Sequence, residues 1–293
     1  MMNDKIYITT DATSDFPKQL RGSYERFKII PMTYFMGNTL YDGVNTPFMD
    51  PMDFYREMEG GAMPQTALIT TETAAEFFSD LLDKGFDVIH ISFSSALSGT
   101  CAAVLRAAEE LKKQYPERKI TVIDSLAASA GEGLLNYYVL EKRQEGASYE
   151  EIVAYAEDLK KNIVQVFLVD DLFHLYRGGR ISKSAAVLGE AMQLKPVLHV
   201  SDSGRLEITN RMLGRKLGLQ MMINKMADKK EGFKNDRVFI GYGNRYADAL
   251  LLAQKVGNLT GRTDNIIIDH IGPVIGAHVG SGVMALFFLG KSR

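Results

Sequence analysis

Short apolar runs alternate with amphipathic runs through the first half of the chain. The pattern predicts strands at residues 5–11, 27–36, 86–93 and 119–125. Apolar residues recur at helical spacing elsewhere, which predicts helices at 71–85, at 98–116 and onward to about residue 163. This alternation is typical of a parallel sheet sandwiched by helices. Such a sheet binds ligands at the carboxyl ends of its strands, where we expect the polar residues that end these runs to meet.

The second half has a different order of elements. Strands are predicted at 162–170, at 236–243 and in two closing apolar runs, and helices are predicted after a glycine break within 172–192, at about 211–228 and up to about 256. Residues 195–210 contain two β runs around an Asp-Ser-Gly turn, which predicts a hairpin. The prediction is an α/β protein of two domains. An N-terminal α/β domain with a parallel sheet spans 1–163, and a C-terminal α+β domain with a mixed sheet spans 164–293.

Composition narrows the class of protein. The formal net charge of −2 gives no overall field that would recruit nucleic acid or an anionic membrane. The single cysteine, Cys101, excludes a disulfide within the chain and a cysteine zinc cluster, and its alanine-rich setting is typical of a small buried residue. The chain starts without the pattern of a signal peptide, and no apolar stretch approaches the ~20 residues of a membrane span. We therefore expect a cytoplasmic protein.

Familiar catalytic motifs are absent. The run 241–246 begins Gly-Tyr-Gly after a strand but has Tyr246 where a dinucleotide loop needs its third glycine, and no Walker pattern occurs. The five histidines show no metal-binding spacing, so no metal is predicted. Because no nucleotide-binding loop is recognisable, no cofactor is predicted either. The nucleophile elbow is also missing. Ser94 or Ser95 could still meet His278 and an aspartate in space, which leaves a serine hydrolase acting on acyl esters as the alternative.

Hydroxyl side chains crowd the start of one predicted helix. Ser94, Ser95, Ser98 and Thr100 lie where the strand 86–93 leads into the helix 98–116. A helix N-terminus favours an anion, and one hydroxyl is enough to cap it. The surplus, Ser94 and Ser95, suits a carboxylate or phosphate held by neutral donors. Thr66, in a predicted loop, and His278, flanked by glycines that allow a close approach to a ligand, are further candidates.

Seven segments together resemble the DegV family of fatty-acid-binding proteins, in family order over essentially the whole chain. They read ITTDATSDFP, QTALIT, FSSALSGTCAAV, VIDSLAASAGEGLL, LYRGGRIS, LKPVLHVSDSGRLE and IGPVIGAHVGSGVMALFFLG. Two departures from the family pattern are small. Thr66 is kept without the polar residues that usually follow it, and Ser281 replaces a proline.

The resemblance implies a long-chain fatty acid buried between two domains and no catalytic residues. It implies that Thr66, Ser94 or Ser95, and His278 hold the carboxylate. It also implies a partner, a separate ATP-dependent fatty acid kinase subunit that phosphorylates the presented carboxylate. Arg177, Arg180 and Arg211 match family arginines of the head-group region or of partner docking.

Overall fold

A computed structural model describes residues 5–187 and 194–293. The strands are β1 (Ile6–Asp11), β2 (Phe27–Ile30), β3 (Tyr34–Met36), β4 (Thr39–Tyr41), β5 (Gln65–Thr66), β6 (Asp87–Ser92), β7 (Ile120–Asp124), β8 (Ile163–Leu168), β9 (Leu194–Val200), β10 (Leu206–Leu213), β11 (Val238–Tyr242), β12 (Ile266–His270) and β13 (Met284–Leu289). The helices are α1 (Lys18–Arg21), α2 (Pro51–Glu59), α3 (Thr71–Asp83), α4 (Thr100–Gln114), α5 (Ala130–Gln144), α6 (Tyr149–Leu159), α7 (Phe173–Arg177), α8 (Lys183–Val187), α9 (Arg215–Lys229), α10 (Tyr246–Thr260) and α11 (Pro273–Val279).

The first sheet is parallel and has helices on both faces. Its order is β2-β1-β6-β7, and every neighbouring pair is parallel. Apolar residues of α3 and α4 pack on one face, and those of α5 and α6 pack on the other. The strands carry near-continuous apolar runs because both faces are buried. The predicted N-terminal architecture is confirmed.

The second sheet is mixed. Its order is β10-β9-β8-β13-β11-β12, with β11 parallel to β12 and the other neighbours antiparallel. The pairing of β9 with β10 confirms the predicted hairpin. Helices α9 and α10 cover the outer face of this sheet. The predicted C-terminal α+β architecture with a mixed sheet is confirmed.

Helix α5 lies between the two sheets. It packs against β1 and β6 of the first sheet and against β8, β11 and β13 of the second. Most of its residues are buried on all sides, as expected of a helix inside the core. One hydrophobic cluster therefore includes residues of both sheets. The division into 1–163 and 164–293 stays a prediction.

Two predicted elements differ in the structure. The run 27–36, predicted as one strand, is split, because Pro31 has no N–H to donate: β2 ends at Ile30 and β3 joins a separate antiparallel sheet with β4 and β5. Within 172–192 a glycine break followed by a helix was predicted; α8 follows Gly178 and Gly179, whereas the short helix α7 before them was not predicted. Residues 188–193 of that prediction lie outside the described residues.

Candidate functional site

A cavity of about 190 Å³ lies between the two sheets. Its walls come from β8 and β13, from the ends of β9 and β10, from Phe93 after β6, from the start of α4 and from α11. Apolar side chains form most of the wall. They are Met32, Ala67, Leu68, Phe93, Leu97, Ala128, Phe167, Leu175, Val200, Leu206, Ile271, Val274, Ile275, Val279, Val283, Ala285 and Phe287.

The register between β8 and β13 builds one wall of the cavity. Phe167 pairs with Ala285, and Gln165 pairs with Phe287. Side chains alternate between the faces of a sheet, so these four residues project from the same face. All four line the cavity. The wall is apolar except for the amide of Gln165.

Thr66 and His278 meet at the cavity. Thr66 lies in β5, which pairs with β3, so the predicted loop is a short strand. Thr66 Oγ1 is 2.9 Å from Nε2 of His278, in the last turn of α11. Gly178 makes room for the imidazole, since a Cβ at that position would lie 2.4 Å from His278 Nδ1. The structure thus brings together two residues that sequence analysis selected separately.

Ser98 and Arg180 extend this polar group. The Ser98 hydroxyl accepts a hydrogen bond from the N–H of Thr100 at 3.1 Å, at the first turn of α4. Arg180 Nε donates to the Leu97 carbonyl at 3.1 Å, and its Nη1 donates to the Gly178 carbonyl. Both side chains line the cavity with Thr66 and His278. We call Thr66, Ser98, Arg180 and His278 the polar cluster.

The polar cluster carries a positive charge and no acid. Burial, and secondarily the charge of Arg180, lower the pKa of His278 to about 4, so the imidazole is neutral at pH 7. Burial also lowers the pKa of Arg180, but a guanidinium stays charged at neutral pH. Within 5–187 and 194–293 no carboxylate forms an ion pair with Arg180. A half-buried cation flanked by neutral hydrogen-bonding groups suits an anionic ligand.

Ser94 and Ser95 do not reach the cavity wall. Ser94 is fully buried, and its hydroxyl donates to the Gly204 carbonyl at 2.9 Å. Gly204, in the turn between β9 and β10, is required there because its φ is +74° and a Cβ would lie 2.3 Å from Ser94 Oγ. Ser95 is exposed, and its N–H donates to Asp124. The hydroxyl beside the cavity is instead that of Ser98, which was expected only as a possible cap of the helix.

The other two predicted arginines lie on the surface. Arg177 Nη2 is 3.0 Å from His174 Nδ1, Nη1 is 2.9 Å from Met63 Sδ, and the guanidinium lies over the Phe173 ring. Arg211 is exposed on β10, the edge strand of the mixed sheet. Of the three arginines, only Arg180 lines the cavity.

Three carboxyl groups behind the cavity were not predicted from the sequence. Those of Asp11 and Glu132 are buried, and that of Asp15 is half-buried. Thr13 and Ser129 line the cavity and donate to Glu132 and Asp15, respectively. Burial raises the pKa of Glu132 well above its usual range and that of Asp15 to about 7. Burial also raises the pKa of Asp11, which accepts a bond from the Phe93 N–H at 3.0 Å. The only sequence signal was the polar ending of the strand at 5–11.

Within residues 5–187 and 194–293, no three His, Cys, Asp or Glu side chains lie close enough together to hold a metal ion. None of the helices in the same ranges has the length and apolar character needed to span a bilayer.

Comparison with known proteins gives one consistent result. The family model described as "Uncharacterised protein, DegV family" matches residues 5–291. A DegV domain-containing protein of Clostridium perfringens is 35% identical over 99% of both chains. The structure of a DegV family protein from Thermus thermophilus, described by its fatty acid binding, has a TM-score of 0.84 and 29% identity over 98% of this chain and 99% of that one. DegV of Bacillus subtilis, described as a fatty acid binding protein, has a TM-score of 0.80 and 25% identity over 98% and 99%. This chain therefore belongs to the DegV family.

Proposed function

We propose that this protein binds a long-chain fatty acid between the domains 1–163 and 164–293 and presents its carboxylate to a separate ATP-dependent kinase subunit. The observation that carries the proposal is the polar cluster, where the Arg180 guanidinium lacks a carboxylate partner in the described residues and lies at an apolar cavity. Such a site suits a ligand with one anionic end and a long apolar body.

The energetics agree with this ligand. Burial of an acyl chain contributes ~0.8 kcal/mol per methylene, on the order of 10 kcal/mol for a palmitate-length chain before the costs of association. A buried carboxylate needs several donors, because an unpaired charge away from water is costly. In this proposal the donors are the Thr66 hydroxyl, the Arg180 guanidinium and the Ser98 hydroxyl, which would give up its hydrogen bond to Thr100 Oγ1 at 3.0 Å. His278 is 2.9 Å from Thr66 and orients that hydroxyl.

The relatives support the same ligand class. The Thermus thermophilus and Bacillus subtilis proteins are both described as fatty acid binding, and both match nearly the whole length of this chain. Because the backbone is shared over that length, we infer that the cavity between the sheets serves the same purpose here.

Exposure at one end of the cavity supports presentation of the carboxylate. Leu68, which lines the cavity, is 50% exposed, and Gly99 is exposed beside the polar cluster. A bound head group there would lie close to solvent and to an approaching partner. Arg177 and Arg211 are exposed cations outside the cavity, and we assign them to docking of the kinase subunit. In this proposal the phosphoryl-transfer chemistry belongs to the partner, and this chain has no catalytic residue.

The alternative of a serine hydrolase has no supporting observation. Ser94 donates to a backbone carbonyl, Ser95 is exposed, and His278 is paired with Thr66. A nucleophile needs a base within hydrogen-bonding distance, and neither serine has a hydrogen bond to His278 within the described residues.

Extraction of freshly purified protein tests the proposal. We expect denaturation and mass spectrometry of the organic extract to release a free fatty acid in a molar ratio near one, and we expect acyl phosphate to form when a fatty acid kinase subunit and ATP are added. An extract without fatty acid, together with no binding of added fatty acid, would refute lipid binding. Loaded protein that yields no acyl phosphate would refute only the role of the partner. Steady turnover of a chromogenic ester would favour the hydrolase.

A further inference from the structure

One buried amide stands in the apolar wall of the cavity. Gln165 is 1% exposed. Its cross-strand partner on β13 is Phe287, and Phe167 follows it on the same face of β8. A glutamine is seldom enclosed among apolar side chains unless its polar atoms are satisfied.

A backbone N–H of the segment before α5 fixes the orientation of this amide. Gln165 Oε1 accepts a hydrogen bond from the Ala128 N–H at 3.0 Å. The oxygen is therefore identified by its donor, and the NH₂ group occupies the other position. Gly131 provides the space, since a Cβ there would lie 2.4 Å from Oε1. The amide is thus held in one arrangement.

The NH₂ group of Gln165 is buried without a hydrogen-bond partner. The hydroxyls of Thr13 and Ser129, which also line the cavity, are already engaged. Thr13 donates to Glu132 at 2.9 Å, and Ser129 donates to Asp15. Among the cavity-lining residues of the described ranges, Gln165 Nε2 is the buried side-chain polar atom left unpaired. An unpaired buried donor is destabilising, and methylene groups laid against it would not relieve it.

We propose that Gln165 selects acyl chains that carry an oxygen acceptor, a hydroxyl or an oxo group, along the chain. This inference rests on the proposed fatty acid site. The polar cluster holds the carboxylate, and the Gln165 N–H groups donate to the chain oxygen inside the apolar cavity. A plain chain fills the same space but leaves the donor unpaired. Selectivity then follows from pairing a donor that is already buried.

Titration with matched ligands tests the inference. The ligands are stearate, a positional series of monohydroxystearates and the corresponding oxostearates, which offer an acceptor but no donor. In the unsubstituted protein we expect the ligand substituted at one particular carbon to bind about fivefold more tightly than stearate. We expect the same carbon to be preferred in the hydroxystearate and the oxostearate series. We expect Gln165→Met to lose that preference. Phe287→Leu changes the opposite residue without changing the donor, so we expect it to keep the ratio.

The outcomes separate this inference from the proposed function. Stearate binding with no preferred hydroxy or oxo position overturns the inference and leaves fatty acid binding intact. A preference that survives in Gln165→Met also overturns it. Binding of none of these ligands overturns the proposed function and the inference together. The oxostearate comparison uses the unsubstituted protein and does not depend on the folding of Gln165→Met.

Discussion

Thr66 Oγ1 lies 2.9 Å from His278 Nε2, although the two residues are 212 positions apart in the chain. Thr66 belongs to the small sheet of β3, β4 and β5, and His278 belongs to α11. The contact therefore ties a strand of the first half of the chain to a helix of the second at the cavity between them.

We expect Thr66→Val to weaken fatty acid binding about tenfold while the fold stays intact. Valine keeps the branched shape but removes the hydroxyl that, in the proposed function, donates a hydrogen bond to the charged carboxylate. Titration with a fluorescent fatty acid measures the change. Ser95→Ala is the control, because Ser95 is exposed and outside the cavity. Equal affinities of Thr66→Val and Ser95→Ala would contradict the role of the threonine.

Arg180→Gln tests whether the arginine binds the charged carboxylate of the ligand or its apolar chain. We expect binding of palmitate to fall about tenfold or more, while binding of hexadecanol, which has no charge, changes little. Arg211→Gln removes an exposed arginine on the edge strand β10 and should leave both affinities unchanged. An equal loss for palmitate and hexadecanol in Arg180→Gln would show that the arginine acts through packing alone.

Gly178→Ala should disturb His278 without straining the backbone. The φ of Gly178 is −69°, which alanine adopts readily, but its Cβ would lie 2.4 Å from His278 Nδ1. We expect a displaced imidazole and a several-fold loss of fatty acid affinity, measured by the same titration. Gly22→Ala is matched to it, with a φ of −77° and nothing within 4 Å of the added Cβ. Unchanged affinity in Gly178→Ala would mean that the position of His278 does not matter for binding.

Asp15 predicts a dependence of stability on pH. Burial raises its pKa from 3.8 to about 7, despite hydrogen bonds from Ser129 and from the Gly272 N–H that lower it. Between those two values the folded state holds a proton that the unfolded state has lost. The free energy of unfolding therefore decreases as the pH rises from about 4 to about 7, with a slope that approaches about 1.4 kcal/mol per pH unit for one proton.

Urea denaturation at a series of pH values measures this slope. We expect Asp15→Asn to flatten the decrease in unfolding free energy, because the amide does not titrate. Part of the slope should remain, since burial raises the pKa of Asp11 and of Glu132 as well. Identical slopes with and without the Asp15 carboxyl would show that its pKa is not raised.

Much of the architecture could be predicted from local pattern. Apolar runs at 5–11, 86–93 and 119–125 correspond to β1, β6 and β7, and the Asp-Ser-Gly turn correctly indicated the β9–β10 hairpin. These elements depend on periodicity and turn chemistry, which act over a few residues. Pro31 could have indicated the split of 27–36, but the pairing of β3 with β5 could not be predicted, because it involves residues about thirty positions apart.

Local sequence patterns were sufficient to predict the class of fold, the kinds of residue available for binding, and Thr66 and His278 as separate candidates. Which hydroxyls line the cavity could be seen only from the folded arrangement of the chain. Ser94 and Ser98 both carry hydroxyls near the start of α4, yet Ser94 donates to the distant Gly204 carbonyl, whereas Ser98 lines the cavity and donates to Thr100 Oγ1. The direction of a side chain depends on partners far along the chain, here 110 residues away for Ser94, and no local pattern carries that information.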